Sequence, residues 1–185
     1  MIKRLAEYIP FNEQEENDKY EILRRIEDGE RLYGRDNLSA HFTASAWVVN
    51  KEKNKVLMAY HNLYDSWAWL GGHADGEQDL LKVAIKEIQE ESGLENVFPV
   101  TEEIYSLEIL AVDGHNKKGK YVPSHLHLNV TFLLEADENE PVRHKPDENS
   151  KVAWFTLEEA VEASNEAWFK EHIYNKLNRK LLMYK

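Results

Sequence analysis

The stretch from Gly71 to Leu94 constrains the fold of this chain more than any other part of its sequence. An apolar run, WAWL, ends in two glycines, a polar loop follows, and residues 79–92 then show helical spacing up to Gly93. Glycine is common directly after a helix because it adopts a positive φ without steric cost. The pattern therefore predicts a strand, a tight loop and a helix in succession.

The predicted helix has two chemically different faces. Glu87, Glu90 and Glu91 are three and four residues apart, so a helix places their carboxylates on one side. The second face is apolar and can pack into a core; it comprises Leu81, Ala84, Ile85 and Ile88. Such an acidic cluster is also typical of a solvated surface, but the packed face and the glycine loop would hold this one rigidly. Oxygen-only ligands suit Mg²⁺ or Mn²⁺, so the pattern favours a divalent-metal site.

The same stretch resembles the signature of the Nudix hydrolases, in which a glycine and a later Arg-Glu-hydrophobic-any-Glu-Glu-any-Gly-hydrophobic run form a loop-helix-loop. Counted from Gly72, the residues that stand at the positions of this run are Lys86, Glu87, Ile88, Glu90, Glu91, Gly93 and Leu94. Two positions depart from the signature. Gln78 stands at its first glutamate, with Glu77 one residue earlier, and Lys86 replaces its arginine. Lys86 keeps the charge that orients a catalytic glutamate in the family, but it lacks the bidentate fork of arginine.

The resemblance implies an α+β fold, a Nudix-like mixed β-sheet sandwich flanked by helices that contains the loop-helix-loop. The order of runs agrees with it, because short β-branched and aromatic segments precede and follow the helix and helical spacing returns near the end of the chain. Residues 12–30 have amphipathic helical spacing. We therefore expect residues 1–38 to form an N-terminal helical extension packed on the core, and residues 39–185 to form the catalytic domain.

The function implied by the resemblance is that of a pyrophosphohydrolase, which uses Mg²⁺ or Mn²⁺ to hydrolyse a diphosphate linkage in a small, nucleoside-linked substrate. The implied metal ligands are Glu77, Glu87, Glu90 and Glu91. Lys86 and the three helix glutamates would carry catalysis, with Glu87 either a ligand or the base that deprotonates water. Some family members take that base from a distant loop. Asp147 and Glu148, just before the last predicted strand, are candidates for it, and a solvated loop is the alternative.

Four residues near the signature or on a neighbouring strand are predicted to contact the substrate: Trp69, Gly72, His73 and His127. His73 could equally brace the loop, and Trp69 could pack in the core. His125 and His127 are two apart in an alternating strand, so they share one face. Without a third ligand of definite spacing, sheet packing or substrate contact is favoured there over a metal site.

Charge and cysteine content limit the partners of this chain. Its 185 residues carry a net charge of −11 and include no cysteine. The charge disfavours binding to nucleic-acid polymers and anionic membranes. The absence of cysteine excludes disulfides and thiolate metal sites and fits a reducing compartment. With no signal-peptide pattern at its start, the chain is predicted to be cytoplasmic. The densest basic patch comprises Lys117, Lys118 and Lys120. It could attract a negatively charged substrate, or it could serve solubility alone. The sequence also allows a homodimer.

Two alternative functions follow from the same residues. A catalytically silent Nudix-fold module that binds a nucleotide or partner as a sensor is suggested by Gln78 and Lys86, but retention of all three helix glutamates argues against it. Isopentenyl diphosphate isomerase, a second enzyme of this fold, typically relies on a catalytic cysteine. The absence of cysteine here disfavours that activity.

Overall fold

A computed structural model describes residues 1–117 and 119–184, without the side chain of Lys117. Lys118 of the predicted basic patch therefore lies outside the described residues. The chain divides into two compact units, each assembled from three segments. Unit 1 comprises residues 1–45, 72–84 and 103–132, and unit 2 comprises residues 46–71, 85–102 and 133–185.

After the N-terminal helices the chain forms a group of strands, a helix, further strands and C-terminal helices, as the sequence predicted, which confirms the α+β class. The helices are α1 (Ile2–Glu7), α2 (Glu13–Glu27), α3 (Leu80–Ser92), α4 (Leu157–Ala163), α5 (Ala167–Phe169) and α6 (Asn175–Leu181). The strands are β1 (Ala40–Val49), β2 (Lys55–His61), β3 (Ser66–Ala68), β4 (Leu70–His73), β5 (Val97–Pro99), β6 (Ser106–Val112), β7 (His115–Lys117), β8 (Lys120–Val122), β9 (His125–Ala136) and β10 (Asn149–Thr156). A π-helical turn joins α5 to α6. Among the residues described, no helix has the length and apolar character that a membrane span requires.

In unit 1 the N-terminal helices pack beside an antiparallel strand pair, which is formed by β6 and β9. Asn12 caps α2, because its side chain accepts a hydrogen bond from the backbone N–H of Glu15 at 3.0 Å. The buried Glu15 carboxylate in turn accepts from the Ser106 hydroxyl of β6 at 2.7 Å. Asp18 accepts from the backbone N–H of Ile109 at 3.1 Å. Helix α2 therefore attaches to the sheet through polar contacts.

Unit 2 is centred on β2, which pairs antiparallel with β3 on one side and with β10 on the other. Its core contains fully buried aromatic and aliphatic side chains. The rings of Trp47 and Tyr174 stack with centroids 5.6 Å apart, and Leu57 and Leu177 are buried as well. This packing holds the C-terminal helices against the strands of unit 2.

The predicted signature helix is confirmed as α3, and it ends as expected at Gly93, whose φ is 73°. Leu81, Ala84 and Ile88 are buried, as predicted for the apolar face. Arg143 lies directly over Gly93, and a Cβ atom at this position would come within 2.3 Å of the Arg143 Cγ atom. Glycine is therefore favoured here by its backbone conformation, whereas the exposed Arg143 side chain could move aside for a Cβ atom.

Strand β1 begins at Ala40, earlier than the apolar run AWVVN from which the sequence predicted it. All ten of its residues are buried, including the polar residues His41, Thr43 and Ser45. A strand buried on both faces does not show the alternation of a half-buried strand, and polar residues within it resemble a loop. The hydroxyls of Thr43 and Ser45 each donate to Asn129 Oδ1 at 2.9 Å, which satisfies them in the core.

Candidate functional site

Unit 2 contains a compact group of three carboxylates, which we call the glutamate cluster: Glu87, Glu91 and Glu148. One oxygen from each lies within 4.8 Å of the others. Glu87 and Glu91 come from successive turns of α3, and Glu148 comes from the loop before β10. The structure therefore brings one of the two predicted loop carboxylates to two of the predicted helix carboxylates.

Asn149 holds the loop that carries Glu148 against α3. This buried side chain donates from Nδ2 to the backbone carbonyl of Glu91 at 3.1 Å and accepts at Oδ1 from the backbone N–H of Lys145 at 3.0 Å. The backbone carbonyl of Glu148 also accepts from the N–H of Asn62 at 3.0 Å. The sequence did not indicate this role, because Asn149 lies in a polar run where nothing distinguishes it from its neighbours.

Burial and mutual repulsion raise the pKa values of Glu87 and Glu91, the two helix carboxyls of the glutamate cluster. The pKa of Glu91 is raised to about 8, first by burial and then by the charges of Glu148 and Glu87. Only 7% of Glu91 is exposed, and its Oε2 accepts a 3.2 Å hydrogen bond from the backbone N–H of Gly71. Burial raises the pKa of Glu87 as well. The surroundings of the cluster therefore do not fully stabilise the negative charges of its ionised carboxylates.

Glu90 faces a different environment from its two helix neighbours. Its side chain is 41% exposed, and its carboxylate contacts Lys86 Nζ at 3.1 Å and Lys145 Nζ at 3.4 Å. The hydrogen bond from Lys86 is the main reason that the pKa of Glu90 is lowered. Lys145 also contacts Glu148 at 3.0 Å, and Lys86 lies 4.0 Å from Glu87. Lys145, which sequence reasoning missed, therefore joins Glu90 to the glutamate cluster.

Of the other predicted residues in unit 2, Trp69 packs among aromatic rings and Asp147 is exposed. Trp69 lies between β3 and β4, half-buried, with its ring edge-on to Phe169 and Tyr174 at centroid distances of 6.3 and 6.0 Å. These contacts agree with the core-packing alternative for Trp69. Nothing in this geometry distinguishes Asp147 from a residue of a solvated loop.

The predicted residues in unit 1 are Gly72, His73, Glu77 and His127. Glu77 contacts Lys82 Nζ at 2.9 Å and accepts from the backbone N–H of Asp79 at 3.0 Å. Gly72 and His73 end strand β4. The imidazoles of His73 and His127 lie together, with centroids 4.8 Å apart, and His41 of β1 joins them. His41 was missed because the strand that carries it was predicted to begin after it.

Solved structures of several hydrolases share this fold. The chain is similar to an Ap4A hydrolase of C. elegans, with 22% identity and a TM-score of 0.54 over 77% of this chain and 96% of that chain. It is also similar to a Nudix hydrolase from M. smegmatis, with 15% identity and a TM-score of 0.56 over 86% and 93% of the two chains. A third is the E. coli dihydroneopterin triphosphate pyrophosphohydrolase, with 13% identity and a TM-score of 0.55 over 79% and 97%. The predicted mixed sheet with flanking helices is thus confirmed.

Sequence comparison leads to the same group. An RNA pyrophosphohydrolase from Pelagibacter ubique (strain HTCC1062) is 29% identical over 139 residues, which cover 72% of this chain and 86% of the relative. The family profile described as NUDIX domain matches residues 40–177. That match covers well over half of the chain and includes the whole stretch from Gly71 to Leu94. The chain therefore belongs to the NUDIX-domain family.

Proposed function

We propose that this chain is a divalent-metal-dependent pyrophosphohydrolase that cleaves a diphosphate linkage in a small, nucleoside-linked substrate. The observation that carries the proposal is the glutamate cluster, whose oxygens lie within 4.8 Å of one another in a chain of the NUDIX-domain family. As a Nudix hydrolase, the chain acts on a diphosphate-containing compound. The proposal further specifies the ion as Mg²⁺ or Mn²⁺ and the substrate as small and nucleoside-linked.

The residues of the glutamate cluster fit a hard divalent cation. All of their donor atoms are carboxylate oxygens, which Mg²⁺ and Mn²⁺ prefer. The raised pKa of Glu91 indicates that the cluster is short of positive charge. Glu87, Glu91 and Glu148 would hold the ion, which when bound neutralises phosphate oxygens and lowers the pKa of a coordinated water. Glu90 and Glu77 stay predicted ligands, and each would first have to exchange its lysine partner for the ion.

Lysines and the loop position the acidic groups for catalysis. Lys86 contacts Glu90 and lies near Glu87, which supports its predicted role in orienting a catalytic glutamate. The base that takes the proton of the attacking water is Glu87 or a loop carboxylate. Of the two loop candidates, we assign Glu148 rather than Asp147, because Glu148 lies within the glutamate cluster.

The names of the relatives support the substrate class. One is called an RNA pyrophosphohydrolase, another an Ap4A hydrolase and a third a dihydroneopterin triphosphate pyrophosphohydrolase. The net charge of −11 favours a small substrate over a nucleic-acid polymer. Direct contact of the substrate with Trp69, Gly72, His73 and His127 stays a prediction.

Three broader predictions complete the proposal. Residues 39–185 are assigned to the catalytic domain, which the family match to residues 40–177 supports, and residues 1–38 to the helical extension. A cytoplasmic location rests on the cysteine-free composition. A homodimer stays a prediction as well.

The test is a product assay on a panel of nucleoside diphosphate compounds with Mg²⁺, with Mn²⁺ and with chelator. We expect metal-dependent hydrolysis that falls roughly 100-fold or more in Glu91→Gln and in Glu148→Gln, because each change removes a predicted ligand. Glu158→Gln, a change at an exposed glutamate of α4, is the matched control and should keep full activity. Thermal stabilisation by a nucleotide without any metal-dependent product would favour the silent sensor module instead.

A further inference from the structure

A second group of metal-ligating side chains lies in unit 1, and all three members are imidazoles. One ring nitrogen from each of His41, His73 and His127 lies within 4.8 Å of the others. The ring centroids are 5.2 Å apart for His41 and His73, 5.2 Å for His41 and His127, and 4.8 Å for His73 and His127. Each ring comes from a different strand, β1, β4 and β9, so the group is held by the sheet. We call it the histidine cluster.

We infer that the histidine cluster is a binding site for a divalent transition-metal ion of the zinc class. Imidazole nitrogens bind Zn²⁺ at about 2.0–2.1 Å, so two ligands at the tetrahedral angle have nitrogens roughly 3.4 Å apart. In the observed group one nitrogen of each ring lies within 4.8 Å of the others, so the side chains would have to move closer together around a bound ion. Three histidines with a fourth position left open form a known type of catalytic zinc site, in which water or an anionic oxygen occupies that position.

The hydrogen bonding of His41 supports this inference independently. Its Nδ1 lies 3.1 Å from the backbone carbonyl of Asn37, which can only accept, so Nδ1 carries the proton and Nε2 carries a lone pair. His41 is only 4% exposed, and its Nε2 has no hydrogen-bond partner among the described residues. A buried acceptor without a partner is destabilising and needs an explanation. A ligated histidine typically donates its other N–H to a backbone carbonyl, as His41 does.

His125 repeats the same arrangement beside the cluster. Its Nδ1 lies 2.8 Å from the carbonyl of Pro123, which leaves its Nε2 with the lone pair, and this atom lies 3.2 Å from Nε2 of His127. That distance is compatible with one N–H···N hydrogen bond and also with two nitrogens that share a tetrahedral ion, roughly 3.4 Å apart. His125 lies outside the three-histidine group and is placed to replace water at its open fourth position.

The surroundings of the cluster suit neutral imidazoles, because His41 is buried within the sheet. Neutral imidazole is the form that binds metal. Arg35 and Asp75, whose charges act in opposite directions on His41, form a bidentate ion pair at 2.7 and 2.6 Å. Imidazole ligands select zinc, copper, nickel and iron rather than Mg²⁺, which separates this site from the glutamate cluster.

This assignment gives His73 and His127 a role other than direct contact with the substrate. They hold an ion whose open position can take water or an anionic oxygen. His73 directly follows Gly72 of the signature loop, so the family stretch contributes a ligand of its own to the site. The inference does not depend on the hydrolase proposal, because it concerns other residues and another class of metal.

The test is a Zn²⁺ titration of metal-free protein by calorimetry in excess Mg²⁺, which occupies oxygen-only sites. We expect one zinc per chain, with the affinity reduced at least 100-fold in His41→Gln, His73→Gln and His127→Gln. His144→Gln, at an exposed loop histidine, and Glu91→Gln are the matched controls and should bind zinc as the parent does. Substitution with Co²⁺ should give the visible absorption bands of a tetrahedral site in the parent and not in His127→Gln.

Three results would overturn the inference. They are no zinc bound at micromolar concentration, unchanged affinity in His73→Gln, or loss of zinc binding in Glu91→Gln. His73 is only half-buried, so His73→Gln provides a decisive variant even if a change at the buried His41 prevents folding. Because zinc binding is read without any hydrolysis assay, failure of the hydrolase proposal would leave this result unaffected.

Discussion

The glutamate cluster of unit 2 and the histidine cluster of unit 1 respond to burial in opposite directions. Burial raises the pKa of Glu91 to about 8 and lowers the pKa of His127 to about 2. Both shifts favour the neutral form of the side chain. A neutral carboxyl holds a proton where a cation would bind, whereas a neutral imidazole presents a free lone pair. The same physical effect therefore makes protons compete with metal in one cluster and removes that competition in the other.

The largest expected difference between the two clusters is the pH dependence of their metal affinity. Between pH 6 and 8 the affinity of the glutamate cluster for Mg²⁺ should rise by up to about tenfold per pH unit, because the ion must displace the Glu91 proton. Zinc affinity of the histidine cluster should rise less over this range, because burial already keeps His41 and His127 neutral. Calorimetry in buffers of different ionisation enthalpy counts the protons released. Equal pH slopes at the two sites would remove the contrast.

The next effect concerns the stability of the metal-free protein. The folded pKa of Glu91, about 8, lies above its ordinary value of 4.5, so the folded state binds the proton more tightly. Stability is therefore lost as pH rises from about 4.5 towards 8. Glu91→Gln should remove this loss and stabilise the metal-free protein at pH 8.5 by on the order of 1–3 kcal/mol, with little effect at pH 4.5.

Urea unfolding at the two pH values measures this difference between Glu91→Gln and the parent. Adding Mg²⁺ should reverse the order of stability, because only the parent keeps the full ligand set. A variant less stable than the parent at pH 8.5 without metal would show that the buried Glu91 carboxylate is not a source of strain.

A smaller effect is expected from the loop support of the glutamate cluster. Asn149→Ala removes the hydrogen bonds to Glu91 and Lys145, so Glu148 should lose its fixed position. Changing a residue that holds a metal ligand in place weakens metal binding by about 10–100-fold. Mg²⁺ titration and urea unfolding would measure both losses. Asn139→Ala, in an exposed turn, is the control and should change neither. Zinc binding should be unaffected by either variant.

The smallest effect should come from the lysine that links Glu90 to Glu148. Lys145→Gln removes two partly exposed ion pairs, which contribute at most about 1 kcal/mol to stability. It also removes a cation that competes with the metal for Glu148. We therefore expect slightly lower stability with a few-fold higher Mg²⁺ affinity, read from melting temperature and calorimetry. Weaker Mg²⁺ binding would mean that Lys145 positions the carboxylates rather than competing for them.

Local patterns in the sequence predicted much of the fold. Helix α3, its buried face and its end at Gly93 follow from periodicity and turn chemistry, which are encoded within neighbouring residues. Strand β9 and helix α4 have the bounds of the runs HLHLNVTFLLEA and LEEAVEA. Helix α1 and strand β5 were not predicted, because each is too short to show a period.

The candidate sites were less predictable, because their members come from distant parts of the chain. The sequence indicated Glu87 and Glu91 by helical spacing, but it could not choose between Asp147 and Glu148. That choice depends on hydrogen bonds made by Asn149 across the fold. The histidine cluster was missed for a related reason: His125 and His127 were visible as a pair, but His41 lies on a strand that looked like a loop.

The two-sided hydrogen bonding of Asn149 has a consequence for chemical ageing. Both ends of its side-chain amide form hydrogen bonds: the NH₂ group donates to the Glu91 carbonyl, and the oxygen accepts from the Lys145 N–H. Spontaneous deamidation to aspartate would replace that NH₂ group with an oxygen and set two acceptors against each other beside buried carboxylates. An old preparation would thus lose the metal affinity proposed for the glutamate cluster while its mass and helix content stay almost unchanged.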